Sequence, residues 1–416
     1  MSTYVKKLVN QAKDASYLLA GLSTSEKNKA LKNMAKAIID KKDFILRENA
    51  KDISLAYQNK LNKNFIDRLK LDDKRLKEMS ASLKEVANLP DPVGKTISTA
   101  TRPNGIKLEK VRAPIGVILI VYEARPNVTS DCIGLLFKTS NLGILRGGRN
   151  AFYSNQAIFF VLQGALSKSK INFPAFFMVE KLGHRTVEEL LKQDAYIDMV
   201  IPRGGESLIR KVVKASRIPV IKHYKGICHI FVDKTADLKK ALKICLNAKV
   251  QRPSVCNSVE TILVHESIAS KFLPLLKEVF DIYGVQIRAD KKSCRILPGV
   301  RKATLSDWST EYLDLTVSLG VVKTVDQAIK HINTYGSGHT DAILTRNQAS
   351  ARKFSKEVDS ACCFINISTR FSDGHQFGLG AEIGISTDKL HARGPMGLEE
   401  LTTYKWIAKG KGQIRT

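Results

Sequence analysis

No stretch of this 416-residue chain approaches the roughly 18 consecutive apolar residues that a membrane-spanning helix requires, which argues against a transmembrane helix, and no membrane partner is expected. The seven cysteines, Cys132, Cys228, Cys245, Cys256, Cys294, Cys362 and Cys363, are odd in number and include no C-x-x-C pair. Neither a disulfide framework nor a zinc pattern is visible in them. The stretch MSTYVKKLVNQAKDASYLL lacks the continuous apolar core and the cleavage site of a signal peptide and reads as an amphipathic first helix. With no secretory signal, the reducing cytoplasm is the expected location. Aromatic residues make up only 7% of the chain, and no basic run is interleaved with stacking aromatics. A G-x-G-x-x-G fingerprint is also missing, so the residues alone do not establish a standard Rossmann phosphate loop.

Positive charge, by contrast, is abundant: 67 basic less 40 acidic residues leaves +27. A basic surface attracts phosphate and so raises nucleic-acid binding as a reading. The lysines, however, are spread along the chain, as in KKDF, LKEVAN and LKKALK, and fall mostly on the polar faces of helices. An anionic small substrate fits the charge at least as well, and no nucleic-acid partner is expected. Hydrophobic content of 44% allows a large core, and the length suggests two or three domains.

Residues 1 to about 89 read as helical. STSE at 23–26 has capping-box form, and Leu31, Met34, Ala35, Ile38 and Ile39 then share a helical face. The helical pattern of 69–89 stops at Pro90, and DPVG is a turn. Asn104-Gly105 lies between alternating stretches and predicts a hairpin, followed by a buried strand from Gly116 to Tyr122. Beyond it NLGILRGG, FFMVE, YIDMVIPRGG and IPVIKH are short apolar runs ending in polar or glycine turns, with helical SNQAIFFVLQGALSKS between them. A second α/β segment starts near 226, with strand-like ICHIFVD, VETILVHE and LDLTVSLGVV and helical ADLKKALKICLNAKV and IASKFLPLLKEVF. Such alternation predicts parallel, doubly wound α/β sheets. The tail, 365–416, is rich in glycine and reads as a functional loop.

Arg-Gly-Gly follows a short strand twice, in LGILRGGRN and DMVIPRGGESLIRKV. Glycines let the backbone approach a phosphate, a helix starting after the turn offers free N–H groups, and Arg146 and Arg149 could hold a 2′-phosphate. The same pattern also suits two ordinary strand-to-helix turns. Cys256, in QRPSVCNSVETILVHE, lies in a loop just before a strand, beside Asn257. Alone it reads either as a nucleophile or as one more small apolar residue in a core. Cys245, on an apolar helix face, and Cys132, Cys362 and Cys363 read as packing.

Several long segments, in order, carry a resemblance over nearly the whole chain: VRAPIGVILIVYEARPNVTSD (111–131), NLGILRGGRNAFYSN (141–155), VIPRGGESLI (200–209), AKVQRPSVCNSVETILVHE (248–266) and FGLGAEIGISTDKLHARGPMGLEELTTYKWI (377–407). The chain resembles the gamma-glutamyl phosphate reductase (glutamate-5-semialdehyde dehydrogenase) family of the aldehyde dehydrogenase superfamily. That resemblance implies two doubly wound α/β domains: a helical segment plus cofactor-binding domain over 1–225, with an oligomerisation hairpin at about 98–113, and a catalytic domain over 226–364. A substrate loop and oligomerisation tail would occupy 365–416. Cys256 matches the family's nucleophile and Asn127 the superfamily's oxyanion-holding asparagine, with the Cys256 N–H as second donor. Arg146, Gly147, Gly148 and Arg149, and Arg203, Gly204 and Gly205, match the NADPH-binding segments, and Glu311 the glutamate on the nicotinamide ribose. Arg370, His391 and Arg393 are the candidates for the substrate's amino-acid head, and no metal is implied.

The implied reaction reduces L-glutamate 5-phosphate with NADPH to L-glutamate 5-semialdehyde and phosphate through a Cys256 thioester, the second step of proline biosynthesis. A homo-oligomer and a functional coupling to glutamate 5-kinase are implied as well. Where hydrolytic relatives carry a water-activating glutamate in E-L-G-G, this chain has HYKG, with His223 at that place, which suits a reductase. Another acyl-phosphate or acyl-CoA reductase of the superfamily is the alternative.

Overall fold

The computed structural model describes the chain apart from Ala124, His223, Thr416 and the side chain of Asn64. His223, singled out above, therefore lies outside the described residues. The chain divides into two compact units: Met1–Lys222 with Gly378–Gly384 and Met396–Thr416, and His223–Phe377 with Ile385–Pro395.

The first unit opens on α1 (Thr3–Ala20), α2 (Thr24–Asp40), α3 (Lys42–Gln58), α4 (Lys63–Leu69) and α5 (Asp73–Asn88). The capping box forms as its residues predict: the Ser23 side chain accepts the Glu26 N–H while Glu26 accepts the Ser23 N–H at 2.8 Å. Leu31, Met34, Ala35 and Ile38 are fully buried, but Ile39 is 36% exposed. Ile39 lies at the edge of that face, in the last turn of α2, where the core no longer covers it.

The hairpin β1 (Thr96–Thr101) and β2 (Lys107–Pro114) turns at Gly105, whose φ of +84° suits a residue without a Cβ. Then come β3 (Val117–Tyr122), α6 (Asn127–Lys138), β4 (Leu142–Arg146), α7 (Phe152–Lys168), β5 (Phe176–Met178), α8 (His184–Leu190), β6 (Met199–Arg203) and α9 (Glu206–Ala215). The four strands form a parallel sheet ordered β5-β4-β3-β6. Strand β3 comes first and is flanked on both sides, so chain order reverses between β3 and β6, where open α/β sheets hold ligands. Helices α2, α3 and α5 pack over α6 and α7. This second helical layer explains why α6 is buried almost all round. Of IPVIKH, the described residues 218–222 make no strand, only a bridge from Val220 to Val200, because Pro219 can donate no ladder hydrogen bond.

The second unit holds β7 (Cys228–Val232), α10 (Leu238–Val250), β8 (Val259–His265), α11 (Glu266–Ile282), β9 (Gln286–Ala289), α12 (Lys291–Ile296), β10 (Arg301–Lys302), β11 (Thr316–Val322), α13 (Val325–Tyr335), β12 (Thr340–Leu344), α14 (Gln348–Glu357) and β13 (Cys362–Ile365). Seven strands make one parallel sheet, ordered β10-β9-β11-β8-β7-β12-β13. Its two faces follow the strand period. Ile230, Val232, Ile262, Val264, Ala342 and Leu344 join the core under α10 and α11, while Phe231, Leu263 and Ile343 face α13 and α14.

The tail is not only loop. Ile385–Ser386 (β14) pairs with Gly394–Pro395 (β15), and Thr402–Lys409 (β16) adds to β2 to complete a three-stranded antiparallel sheet. Among the described residues no helix is long and apolar enough to cross a membrane.

Candidate active site

In the first unit the sequence-predicted cofactor residues cluster at the carboxyl ends of β3, β4 and β6. Gly147 leaves no room for a side chain, since a Cβ there would lie 2.2 Å from Asn155 Nδ2 and 3.1 Å from the Tyr122 hydroxyl. Tyr122, Thr129 and Asn155 form a buried polar chain behind it, at 2.7 and 3.1 Å. A Cβ on Gly148 would press on the Glu123 backbone. Arg146 donates to the Leu182 carbonyl at 2.8 Å, while its Nε is buried without a partner. Burial and the charge of Arg149, which is exposed, both depress the Arg146 guanidinium.

Across the switch point Gly205 caps α9, and its N–H donates to the Glu123 carboxylate at 3.0 Å. The helix end read as an anion site is thus already engaged by a carboxylate of the chain itself, as its dipole favours. Arg203 packs on Gly384 of the tail, where a Cβ would meet its Nη1 at 2.4 Å. Asn127 starts α6, is exposed, and donates its amide to Asp131 at 2.9 Å.

The second unit carries Cys256 in a turn ahead of β8, half-buried. It sits at the amino ends of the strands, the edge opposite to that used in the first unit. Two groups brace its backbone. Gly226 lies so close that a Cβ would fall 1.9 Å from the Cys256 carbonyl oxygen and 2.5 Å from its Cα. The Cys228 thiol donates to that same carbonyl at 3.2 Å. Burial, with the charges of Asp341 and Cys256, pushes the Cys228 thiol well above the usual range, so it stays a protonated donor.

Gly226 links Cys256 to Glu311, donating its N–H to Glu311 Oε1 at 2.9 Å. Behind Glu311 the Leu313 N–H reaches Glu260, which pairs with Lys249 at 2.7 Å with both side chains fully buried. Burial raises the Glu260 carboxyl against the pull of Lys249. Arg370 stands in a short turn and donates Nε to Gln251 at 2.7 Å. His391 has a left-handed φ of +69°, and Arg393 is held by the Asp359 carboxylate at 2.8 Å.

Each unit thus gathers its own share of the predicted residues: Asn127 with the Arg-Gly-Gly turns in the first, Cys256 with Glu311, Arg370, His391 and Arg393 in the second. Sequence reasoning missed Gly226, Cys228 and the Lys249–Glu260 pair. The available signals were faint: a glycine just before a strand, and a lysine and a glutamate among apolar residues. Gly226→Ala is expected to displace the nucleophile loop and lower kcat/KM by roughly 10²-fold, the effect of about 1 Å of misplacement. Kinetics with a circular-dichroism check of folding test this, and wild-type kcat/KM in a folded variant would show that the loop tolerates the shift.

The profile of the Aldehyde dehydrogenase family matches residues 2–306. The chain is 50% identical over 411 residues to the gamma-glutamyl phosphate reductase of Caldanaerobacter subterraneus subsp. tengcongensis, covering 99% of each chain. It is 48% identical to that of Nautilia profundicola, covering 99% of this chain and 100% of the relative. The crystal structure of the Thermotoga maritima gamma-glutamyl phosphate reductase superposes with a TM-score of 0.97 at 44% identity, covering 99% of this chain and 100% of that one.

Proposed function

The chain belongs to the aldehyde dehydrogenase family and, within it, to the gamma-glutamyl phosphate reductases, and from that premise we propose that it reduces L-glutamate 5-phosphate to L-glutamate 5-semialdehyde with NADPH. It is an oxidoreductase of a family that uses nicotinamide cofactors. The observation that carries the finer reading is the Cys256 loop, with a half-buried cysteine whose backbone is held by Gly226 and Cys228.

The Cys256 sulfur attacks the acyl-phosphate carbonyl. A C–S bond forms and the C–O bond to phosphate breaks, and the thiol proton leaves with the phosphate as hydrogenphosphate. The Cys256 N–H and the Asn127 amide would donate to the carbonyl oxygen as it gains charge, each such donor being worth roughly 10²- to 10³-fold in rate. When bound, the cofactor supplies the hydride that takes the thioester to the aldehyde. The residues in place suit it. The crowded Gly147 and Gly148 lie beside the switch point, and the orphaned Arg146 Nε and exposed Arg149 offer donors for a 2′-phosphate. Arg203, Gly204 and Gly205 complete the turn at the head of α9, and Glu311 keeps the ribose role that the resemblance implies. Arg393, which Asp359 holds in place, and His391 are offered for the substrate's α-carboxylate.

NADPH is expected to be preferred over NADH, with Arg149→Ala narrowing the ratio of kcat/KM values by about 10- to 100-fold, the worth of one charge-assisted phosphate contact. Equal kcat/KM for the two cofactors in the unmodified enzyme would refute the choice. The whole function is tested in reverse, by reduction of NADP+ with glutamate 5-semialdehyde and its dependence on inorganic phosphate. Coenzyme A replacing phosphate would point to an acyl-CoA reductase instead.

The reading extends to assembly and place. The antiparallel sheet exposes Ile97, Tyr404 and Trp406, with β1 as an open edge, and would serve a homo-oligomer. The product would cyclise on the way to proline in the cytoplasm, and the labile acyl phosphate fits functional coupling to glutamate 5-kinase.

A further inference from the structure

Two arginines of the second unit stand beside the nucleophile, and only one of them was singled out from the sequence. Hydrogen bonds on both sides of Cys256 tie the turn that carries Arg370 to the nucleophile loop. Gln251, which precedes Cys256, accepts the Arg370 Nε–H at 2.7 Å, and Asn257, which follows it, donates to the Ser372 carbonyl at 2.8 Å. Arg252, the neighbour of Gln251, is exposed and makes no hydrogen bond or ion pair among the described residues. The Arg370 guanidinium is depressed by burial and then by the charge of Arg252, while Asp373, Cys256 and Cys228 oppose this. Arg252, Asp373 and the Cys256 thiol thus all lie within electrostatic reach of the Arg370 guanidinium. Like charges held together in this way are relieved by a bound anion.

We propose that Arg252 and Arg370 form a subsite for the phosphoryl group of the acyl-phosphate substrate, holding it while Cys256 attacks and neutralising it as it leaves. The inference rests on the reductase reading above and changes the part of the substrate that Arg370 serves. In an acyl phosphate the phosphoryl oxygen is bonded to the reacting carbonyl itself, so its charge must fall next to the sulfur. The α-carboxylate carbon lies four C–C bonds away, about 5 Å in an extended chain at roughly 1.5 Å per bond. A cation tied to the nucleophile loop suits the near charge. The planar guanidinium also suits phosphate, which it can meet with two parallel hydrogen bonds. In the reverse direction the same pair would hold inorganic phosphate for attack on the thioester. There the C–O bond forms as the C–S bond breaks, and the Cys256 sulfur takes up the proton that hydrogenphosphate gives up.

The test measures phosphate-dependent NADP+ reduction by glutamate 5-semialdehyde in the wild type, Arg252→Ala, Arg370→Ala and the corresponding lysine variants. Each alanine variant is expected to raise KM for phosphate about 10-fold or more, with KM for NADP+ and for the aldehyde within roughly 2-fold and partial rescue by lysine. A second readout needs no cofactor: inorganic phosphate should slow alkylation of Cys256 by iodoacetamide in the wild type and lose that protection in both alanine variants. Arg252 is exposed, so its variant keeps the test valid if Arg370→Ala fails to fold. An unchanged KM for phosphate, or a raised KM for the aldehyde alone, would overturn the subsite and leave the reductase reading standing. Absence of any phosphate dependence in the wild type would overturn both.

Discussion

Cys256→Ser is expected to fold, to bind the cofactor and to lose turnover by about four orders of magnitude or more, as removal of other covalent nucleophiles does. A serine hydroxyl is far harder to ionise near neutral pH than a thiol. Cys132→Ser and Cys245→Ser should keep activity if they fold. Both thiols are fully buried, and burial pushes Cys132 up to about 12 and Cys245 further still, so neither supplies a thiolate. Steady-state kcat, with a titration of reactive thiols that loses one fast-reacting group only in Cys256→Ser, separates these cases. Substantial turnover by Cys256→Ser would sink the covalent mechanism.

Lys249→Met should produce the largest loss of stability, roughly 3–5 kcal/mol, because it strands Glu260 as an uncompensated charge in a fully buried site. The double variant Lys249→Met/Glu260→Leu should recover much of this, since two apolar side chains replace a desolvated pair. The pH dependence has a definite sign. Burial already raises the Glu260 carboxyl above its ordinary value, and removing Lys249 raises it further. A carboxyl raised in the folded state binds more protons there than in the unfolded chain. The stability it contributes is present below the unfolded carboxylate range and is lost as pH rises through the folded value. The deficit of Lys249→Met should therefore be smaller near pH 5 than near pH 8, which urea unfolding at the two values measures. A deficit under about 1 kcal/mol, or one equal at both pH values, would remove the pair from its structural role. Because Glu260 also accepts the Leu313 N–H, loss of the pair should loosen the segment that carries Glu311.

Much of this molecule is written locally. Ser23 and Glu26 lie three residues apart and cap a helix by themselves, Asn104-Gly105 turns its hairpin within four residues, and Ile230–Val232 reveals a buried strand by a short apolar run ending at Asp233. The setting of Cys256, in a turn ahead of β8, follows equally from its neighbours. Even here the limits show, since a helical face drawn one residue too wide included the exposed Ile39, and a short apolar run at 218–222 was too proline-interrupted to pair as a strand.

Other features depend on partners far away along the chain. The strand character of Thr402–Lys409 rests on β2, which supplies the ladder for a segment that, set in a glycine-rich tail, reads as loop. Gly226 and Cys228 matter because folding lays the start of β7 against Cys256, and a glycine or cysteine read alone carries no sign of that contact. Lys249 is tolerable inside the core only because Glu260 meets it, and Arg252 gains meaning only beside Arg370, which a separate turn brings back to the nucleophile loop. Period, caps and turns act through a few neighbouring bonds, so they can be read in order along the chain. Burial, desolvation and the convergence of like charges are properties of a place in space, and for this protein that place was decided by the parallel sheet that brings the amino ends of β7, β8 and β13 together.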